Sequence, residues 1–414
     1  MTQFKIDKII DTIFHSTLMP GLIILLWLTE LIFFTTLKLL LIAWFIIFVI
    51  CPLVFKFSIA LQKGILFLTF ITYPPDLDFK RPEKSGLYAT RNFYVDYKDQ
   101  EEDIDIKIGV WHILPNNFVK KYAKQLQLEE EILTNVTDIE TESDTNSNSK
   151  YLAIDKLFNT KDFDLADENF KKELFEESLK TADKGIIFYM HGNTASRGAT
   201  HRVDIYKVFR SLNYHVVTID YRGYGDSSNI SPSERGIVFD SLAVYQYITT
   251  VTNKPVFFWG HSLGTGVATH LLSILNDLNI PGPKAVVLEA PFNNIRDEIT
   301  HHPFSILFRN LPWFDYTILT PMYENNLRFE SDKHIAEFRQ PILILHAEDD
   351  RVIPFKLGYK LYRQALDTRG KSWGPVQFHR FEKSSHYGHK FIWRAPELPN
   401  LINDFFNAYR NTSY

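Results

Sequence analysis

The chain has 414 residues, 45% of them hydrophobic and 15% aromatic, and a formal net charge of -4. This length allows one large domain or two ordinary ones, and the near-neutral charge argues against nucleic acid as a partner. The one cysteine, Cys51, excludes an intrachain disulfide, and no C-x-x-C or H-E-x-x-H motif occurs. We therefore expect no metal and no cofactor.

The N-terminal region is strongly apolar. Residues 39–55, "LLLIAWFIIFVICPLVF", carry no charge, and a run of about 17 residues is near the lower limit for crossing a hydrocarbon core. Residues 22–34 are also apolar but contain Glu30, so one span is favoured and two stay possible. A signal peptide fits poorly, because the apolar run is long and no small-residue cleavage site follows. We predict a membrane anchor over residues 1–74 with its span at about 39–55; a buried core helix is the alternative.

Residues 75–414 have the pattern of a globular domain. "IDIKIGVWHIL", residues 104–114, is typical of a strand. A long polar insert follows, and its middle, about 129–149, has acidic residues and no basic ones. Such a composition cannot bury enough apolar surface to fold, so it predicts a disordered loop.

Short apolar strands alternate with helix-like segments from residue 185 onwards. Six such runs follow: "GIIFYM", "HVVTIDY", "PVFFWG", "AVVLEA", "PILILHAE" and "VQFHRF". Near-continuous apolar strands indicate a mostly parallel sheet that helices cover on both faces, which is an α/β fold. The segment at about 292–340 is longer than an ordinary crossover and is a candidate helical lid.

The pentapeptide "GHSLG" places Ser262 between Gly260 and Gly264. It follows the strand-like "PVFFWG" and precedes the helix-like "GVATHLLSIL". In a parallel sheet, G-x-S-x-G at such a position is typical of a sharp strand-to-helix turn, where glycines let strand and helix approach. We predict that Ser262 is a nucleophile at the carboxyl edge of the sheet. A serine that only caps the helix is the alternative.

A serine nucleophile needs a base and an acid that orients the base. Asp349 and Asp350 both follow the strand "PILILHAE". The pattern H-x-x-x-D-x-x-I-P favours Asp350, while Asp349 fits a turn or a helix cap. His386 and His389 both follow the last strand, and spacing alone does not choose between them.

The oxyanion of an acyl-transfer reaction needs preorganised donors. One predicted donor is the backbone N–H of Leu263, directly after the nucleophile. The other should come from the turn after the early strand in "FYMHGNTAS", which favours the N–H of Asn193 or Thr194. An ordinary strand-end turn is the alternative reading of that stretch.

Long stretches of the chain resemble a known family. "FYMHGNTASRGATHRVDIYKVFRSLNYHVVTIDYRGYGDS", "WGHSLGTGVAT", "HPFSILFR", "ILHAEDDRVIPFKLGYKLY" and "YGHKFIWRAPELP" resemble the membrane-anchored lysophosphatidylserine and monoacylglycerol lipases of the abhydrolase domain-containing protein twelve type. The resemblance runs from about residue 104 to 401, apart from the acidic insert. It implies an α/β-hydrolase fold, one N-terminal span and a lumenal or extracellular catalytic domain.

The resemblance also implies roles for single residues. The family's nucleophile corresponds to Ser262 and its acid to Asp350. Its histidine stands in a Tyr-x-His-Lys setting, which is "YGHK" here, so the resemblance favours His389 over His386. Residues 310–329 match only loosely, and they leave acyl-chain and head-group preference open.

Three functions compete at this stage. The leading hypothesis is a membrane lipase for lysophospholipids and monoacylglycerols, with the lipid substrate and the bilayer as partners and no obligate protein partner inferred. The second is an acyl-protein thioesterase with a cytosolic active site. The third is a catalytically inactive anchor or adhesion module, which would have a broken triad.

Membrane sidedness is weakly marked, because lysines flank the predicted span on both sides. Three N-x-S/T sequons lie outside the span, at Asn135, Asn229 and Asn411. Only a lumenal domain can carry glycans there. With the family resemblance, they favour a single-pass protein of the endoplasmic reticulum membrane with a lumenal catalytic domain and a glycan on Asn135.

Overall fold

The computed structural model describes residues 12–13, 17–128, 152–159 and 165–412. The predicted disordered insert and Asn135 lie outside these residues. The described chain divides into two compact units. The sheet unit comprises Phe67–Asn293 and Phe329–Tyr414, and the helical unit comprises the described residues up to Leu66 together with Asn294–Arg328.

One sheet of eight strands organises the sheet unit in the described residues, with the spatial order β1-β2-β4-β3-β5-β6-β7-β8. The first three strands in this order pair antiparallel, and all others pair parallel. The strands are β1 (Thr90–Asp99), β2 (Ile104–Ile113), β3 (Ile186–Met190), β4 (His215–Asp220), β5 (Val256–His261), β6 (Ala285–Glu289), β7 (Ile342–Ala347) and β8 (Val376–Phe381).

The described α-helices belong to both units. They include α1 (Met19–Leu28), α2 (Phe34–Phe45), α3 (Cys51–Phe57), α4 (Ile59–Phe67), α5 (Asn116–Lys121), α6 (Leu152–Phe158), α7 (Glu168–Lys180), α8 (Thr200–Ser211), α9 (Glu234–Val251), α10 (Leu263–Asp277), α11 (Ile295–His301), α12 (Thr320–Glu324), α13 (Ser331–His334), α14 (Phe355–Thr368) and α15 (Leu398–Tyr409).

Apolar runs form the buried strands, as the sequence predicts. Every residue of β3, β4, β5, β6 and β7 is buried, because a parallel sheet has helices on both faces. One core cluster joins the sheet to α8 and α15; in it the ring of Trp259 lies 4.7 Å from that of Phe209, and Phe257 stacks on Phe406 at 4.0 Å. The predicted α/β-hydrolase architecture is confirmed.

The first strand, β1, was not predicted. Its sequence, "TRNFYVDYKD", has polar residues at six of its ten positions, and its burial alternates over much of its length. An edge strand needs only one buried face, so it lacks the continuous apolar run that reveals the central strands.

The polar insert after β2 contains helices on both sides of its undescribed middle. Helices α5, α6 and α7 contribute to a second cluster of buried residues, centred on Phe118, Ile154 and Leu174. The N-terminus of α7 is capped by the Asp167 carboxylate, which accepts from the backbone N–H of Asn169 at 2.9 Å. These described flanks of the insert belong to the folded domain.

The helical unit contains one helix long and apolar enough to cross a membrane. It runs from Phe34 to Phe57 through α2, a π-helical turn at Ile46–Ile50 and α3, and only 17% of its most apolar window is buried. It therefore begins earlier than the predicted span at about 39–55. The shorter apolar helix α1 precedes it. One such helix is consistent with a single-pass membrane protein.

Candidate active site

Ser262 lies at the sharp turn between β5 and α10. Its backbone has φ +56° and ψ -121°, a conformation that L-residues rarely adopt and that costs about 1–3 kcal/mol. A Cβ atom on Gly264 would overlap the carbonyl oxygen of Met190, and one on Gly260 would overlap that of Gly264. The two glycines therefore permit the close approach of strand and helix that holds Ser262 in this conformation.

His389 lies beside Ser262. Its Nε2 is 2.9 Å from the hydroxyl oxygen of Ser262, and its side chain is 8% exposed. His386, the other candidate from the same loop, is exposed and has a left-handed backbone conformation. The structure thus brings His389, and not His386, to the serine.

Asp350 completes a chain of hydrogen bonds. The Nδ1 of His389 donates to Oδ2 of Asp350 at 2.7 Å, while Oδ1 accepts from the backbone N–H groups of Val352 and Ile353 at 2.8 and 2.9 Å. Burial alone would raise the pKa of Asp350, but the electrostatic interaction with His389 and hydrogen bonds from His346 and His389 hold it below its usual value. The carboxylate therefore stays ionised and fixes the orientation of the imidazole.

Asp349, the neighbouring carboxylate, has a different partner. Its two oxygens accept from the backbone N–H of Gly388 at 3.0 and 3.1 Å. Gly388 directly precedes His389 and has φ +53°. Asp349 thus anchors the loop that carries His389. The sequence predicts only a turn or helix-cap role for Asp349.

The turn after β3 lies against the serine. A Cβ on Gly192 would be 3.1 Å from the Cβ of Ser262. The carbonyl of Gly192 accepts from Nδ1 of His191 at 2.6 Å and from Arg202 at 3.3 Å. Because a carbonyl and the next N–H point in opposite directions across a trans peptide, these bonds also fix the direction of the N–H of Asn193.

Arg202, on α8, holds this turn at three points. Besides Gly192, its guanidinium donates to the carbonyls of Thr194 at 2.7 Å and Ser196 at 2.6 Å. Arg202 is 1% exposed, so these bonds are shielded from water. A helical arginine gives no pattern in the sequence that would identify it as the residue that orients this turn.

Leu263 is the first residue of α10, which begins directly after Ser262. The first N–H groups of a helix have no acceptor within the helix and carry partial positive charge. The predicted donors belong to two backbone segments beside Ser262. Leu263 begins α10, and Asn193 and Thr194 lie in the turn after β3.

Two further buried groups near the serine were not predicted. Glu289 ends β6 and pairs in register with His261; its Oε2 accepts from the indole N–H of Trp259 at 2.8 Å. Burial raises the pKa of Glu289 to about 7. Burial also lowers the pKa of His261 well below its usual value, so a neutral ring donates from Nε2 to the carbonyl of His389 at 2.9 Å. A single charged residue at the end of an apolar strand gives no distinctive sequence signal.

Within the described ranges, no group of three or more His, Cys, Asp or Glu residues could hold a metal ion. The chemistry that the arrangement supports is nucleophilic attack by a serine with a histidine base.

Comparison with known proteins shows relatives that are similar over most of the chain. The chain is 40% identical over 363 residues to "Lysophosphatidylserine lipase ABHD12" of Danio rerio, which covers 87% of this chain and 81% of the relative. It is 38% identical over 359 residues to the protein of the same name from Mus musculus, with 86% and 77% covered.

A family model described as "Serine aminopeptidase, S33", which belongs to the α/β-hydrolase superfamily, matches residues 181–331. The match includes Ser262 and ends before Asp350 and His389. Among solved structures, the esterase Pf2001 of Pyrococcus furiosus is similar with a TM-score of 0.49 and 13% identity, over 82% of this chain and 99% of that one.

Proposed function

The chain belongs to the lysophosphatidylserine lipase ABHD12 family and is a serine ester hydrolase, and we propose that it releases the acyl chain of lysophosphatidylserine and of monoacylglycerols at a membrane. The observation that carries the proposal is the hydrogen-bonded chain from Ser262 through His389 to Asp350. These three residues are the proposed catalytic triad.

In the proposed acylation step, the Ser262 hydroxyl oxygen bonds to the ester carbonyl carbon while Nε2 of His389 accepts the hydroxyl proton. The ionised Asp350 stabilises the imidazolium that forms. The oxyanion accepts hydrogen bonds from the N–H of Leu263 and of Asn193 or Thr194. The ester C–O bond then breaks, and His389 returns the proton to the departing glycerol oxygen.

Deacylation repeats these roles with water. His389 takes a proton from a water molecule whose oxygen attacks the acyl carbon of the acyl-enzyme. The bond between that carbon and the Ser262 oxygen then breaks, and His389 returns the proton to Ser262. The products are a free fatty acid and the deacylated alcohol, and the enzyme is regenerated without a cofactor.

We further propose that the helix Phe34–Phe57 anchors the enzyme in the endoplasmic reticulum membrane and that the sheet unit faces the lumen. The helix is long and apolar enough to span. The sequon at Asn229 supports the lumenal side, because Asn229 is exposed in the loop between β4 and α9. The predicted domain division, with the anchor in residues 1–74 and the catalytic domain in 75–414, is part of this proposal.

The test of activity uses full-length protein in phosphatidylcholine vesicles. Lysophosphatidylserine, a monoacylglycerol and a peptide with a palmitoylated cysteine are supplied separately, and free fatty acid is measured for wild type and Ser262→Ala. We expect release from both lipids, and none from either lipid by the variant. Release from the peptide alone would replace this proposal with the acyl-protein thioesterase.

Sidedness is tested in sealed microsomes. We expect a glycan on Asn229 that Asn229→Gln removes, and a sheet unit that resists added protease until detergent is present. A domain that lacks glycans and is digested without detergent would place Ser262 in the cytosol. That result would again favour the thioesterase.

A further inference from the structure

The inserted segment, Asn294–Arg328, forms one compact unit with the N-terminal helices. We propose that its apolar stretch Pro303–Phe314 is embedded in the lipid bilayer beside the helix Phe34–Phe57. The proposal goes beyond the hydrolase activity and rests on the proposed membrane anchoring. The occupant of the exposed apolar surface is then the acyl-chain region of the bilayer.

The first evidence is the depth of the contact along the helix. The indole N–H of Trp313 donates to the backbone carbonyl of Phe48 at 2.7 Å. Phe48 lies within the π-helical turn of the helix, where the regular pattern of backbone hydrogen bonds is widened. At about 1.5 Å per residue, Phe48 is roughly 14 Å from the end of the helix at Phe57, near the middle of a hydrocarbon core of about 30 Å.

An apolar cluster surrounds this hydrogen bond. Phe48 is buried together with residues of the inserted segment, and further apolar side chains pack against them. The buried members from the segment are Leu311, Phe314 and Leu319. The partly buried members include Phe308 and Trp313 of the segment and Trp44 of the helix. A segment that packs at this depth against a spanning helix lies at that depth itself.

The polar contacts of the unit lie toward the C-terminal end of the helix. The ammonium of Lys56 lies 3.0 Å from the ring centroid of Tyr316, and the side-chain amide of Asn325 donates to Gln62 at 2.7 Å. Asp315 pairs with Arg296 at 3.0 Å. Lys56 and Gln62, at and just beyond the C-terminal end of the helix, thus have polar contacts with Tyr316 and Asn325, which follow the apolar stretch. This is the arrangement expected at a membrane interface.

The stretch Pro303–Phe314 exposes apolar side chains that no described residue covers. Phe304 is 83% exposed, Ile306 52% and Leu307 54%. Arg309 is its one charged residue, and long arginine side chains reach from apolar surroundings to the interface. Contiguous exposed apolar surface in a protein marks an interaction site.

The backbone of this stretch is also suited to lipid, where unpaired N–H groups are costly. The N–H groups of Ser305, Phe308, Leu311 and Phe314 donate to carbonyls within or next to the stretch, at 2.9–3.1 Å. Pro303 and Pro312 have no N–H to satisfy. The exposed apolar side chains and the contact at mid-helix favour the bilayer over a second copy of the chain, and most backbone N–H groups of the stretch are paired locally.

The test compares three single-cysteine proteins that carry the environment-sensitive dye NBD. Leu307→Cys in a Cys51→Ser background reports on the inserted segment. Leu278→Cys in the same background is the matched control, because Leu278 is also 54% exposed but belongs to the sheet unit. Native Cys51, which is exposed on the helix, reports on the span. Each full-length protein is labelled in detergent and reconstituted into phosphatidylcholine vesicles.

We expect the Leu307 label to have blue-shifted emission, to be quenched by acyl-chain nitroxide lipids as strongly as the Cys51 label, and to resist aqueous iodide. The Leu278 label should show the opposite pattern. A Leu307 label quenched by iodide like that of Leu278 would place the segment in water and overturn the proposal. Protection from both quenchers would overturn it in favour of a second protein copy. If the Cys51 label is also in water, the proposed anchoring fails as well.

Discussion

The sheet unit and the helical unit both contain continuous apolar runs but use them differently. All six residues of β5 are buried among protein atoms, whereas only 17% of the most apolar window of the helix Phe34–Phe57 is buried. In the first unit, apolar side chains form a close-packed core in which small volume changes are costly. In the second, they form an exposed apolar surface of the kind that contacts a membrane or another protein.

The two units also differ in how tightly their backbones are packed. In the sheet unit, a Cβ on Gly264 would overlap the carbonyl oxygen of Met190, and one on Gly192 would lie 3.1 Å from the Cβ of Ser262. In the helical unit, a Cβ on Gly64 would meet nothing within 4 Å. We therefore expect substitutions in the sheet unit to alter catalysis and folding, and most exposed substitutions in the helical unit to alter membrane association.

The largest effect should separate the two histidines of one loop. His389→Ala removes the proposed base and should lower kcat/KM by about 10⁴–10⁶-fold, as removal of a triad member does. His386→Ala is the matched control and should retain most activity, because His386 is exposed. Hydrolysis of a soluble short-chain ester measures both, and loss of activity in His386→Ala alone would refute the assignment.

The second effect compares two helical glycines, one from each unit. Gly264→Ala should lower the free energy of unfolding by about 3 kcal/mol or more, because its Cβ would overlap the Met190 carbonyl and backbone cannot move aside cheaply. Gly64→Ala should be neutral or stabilise α4 by about 0.5–1 kcal/mol. Thermal unfolding in detergent measures both variants. If Gly264→Ala and Gly64→Ala have equal melting temperatures, the difference in packing between the two units is contradicted.

The smallest effect concerns the pH dependence of stability through Glu289. Burial raises its pKa from 4.5 to about 7, so its stabilising contribution is full below pH 4.5 and is lost as the pH rises through 7. Glu289→Gln keeps an acceptor for Trp259 but cannot ionise. At pH 9 the variant should be more stable than wild type by about 3 kcal/mol at most.

Melting temperatures at pH 5 and pH 9 provide the measurement, and the gain from Glu289→Gln should shrink at pH 5. A gain that is equal at both pH values would show that Glu289 does not titrate in this range. Asp277→Asn, at an exposed position of the sheet unit, serves as the control for a carboxylate-to-amide change.

Much of the fold was predictable because its central strands are continuous apolar runs. The edge strand β1 was missed because polar residues interrupt its apolar positions, as an edge strand with one buried face allows. The sequence predicts a later start for the helix Phe34–Phe57, because Lys38 limits the uncharged run. A lysine near a helix end can, however, extend its ammonium to the interface.

The proposed site was predictable where a motif fixes spacing and not where contacts come from the tertiary structure. Ser262 follows from its turn motif, and the structure brings Asp350 and His389 to it; their catalytic roles stay predictions. Spacing could not choose between His386 and His389, because both lie on one loop. That choice depends on the backbone, which Asp349 fixes through Gly388. Arg202 and Glu289 act through long-range contacts that no local pattern encodes.

The most direct test of the central claim is the identity of the residue that a fluorophosphonate probe modifies. Full-length wild type and Ser262→Ala are treated with the probe in vesicles, and the modified peptide is identified by mass spectrometry. The expected result is a single adduct on Ser262 in wild type and no adduct in Ser262→Ala, with an unchanged melting temperature. Equal labelling of the variant, or an adduct on another serine of the wild type, would contradict the assignment of Ser262 as the nucleophile.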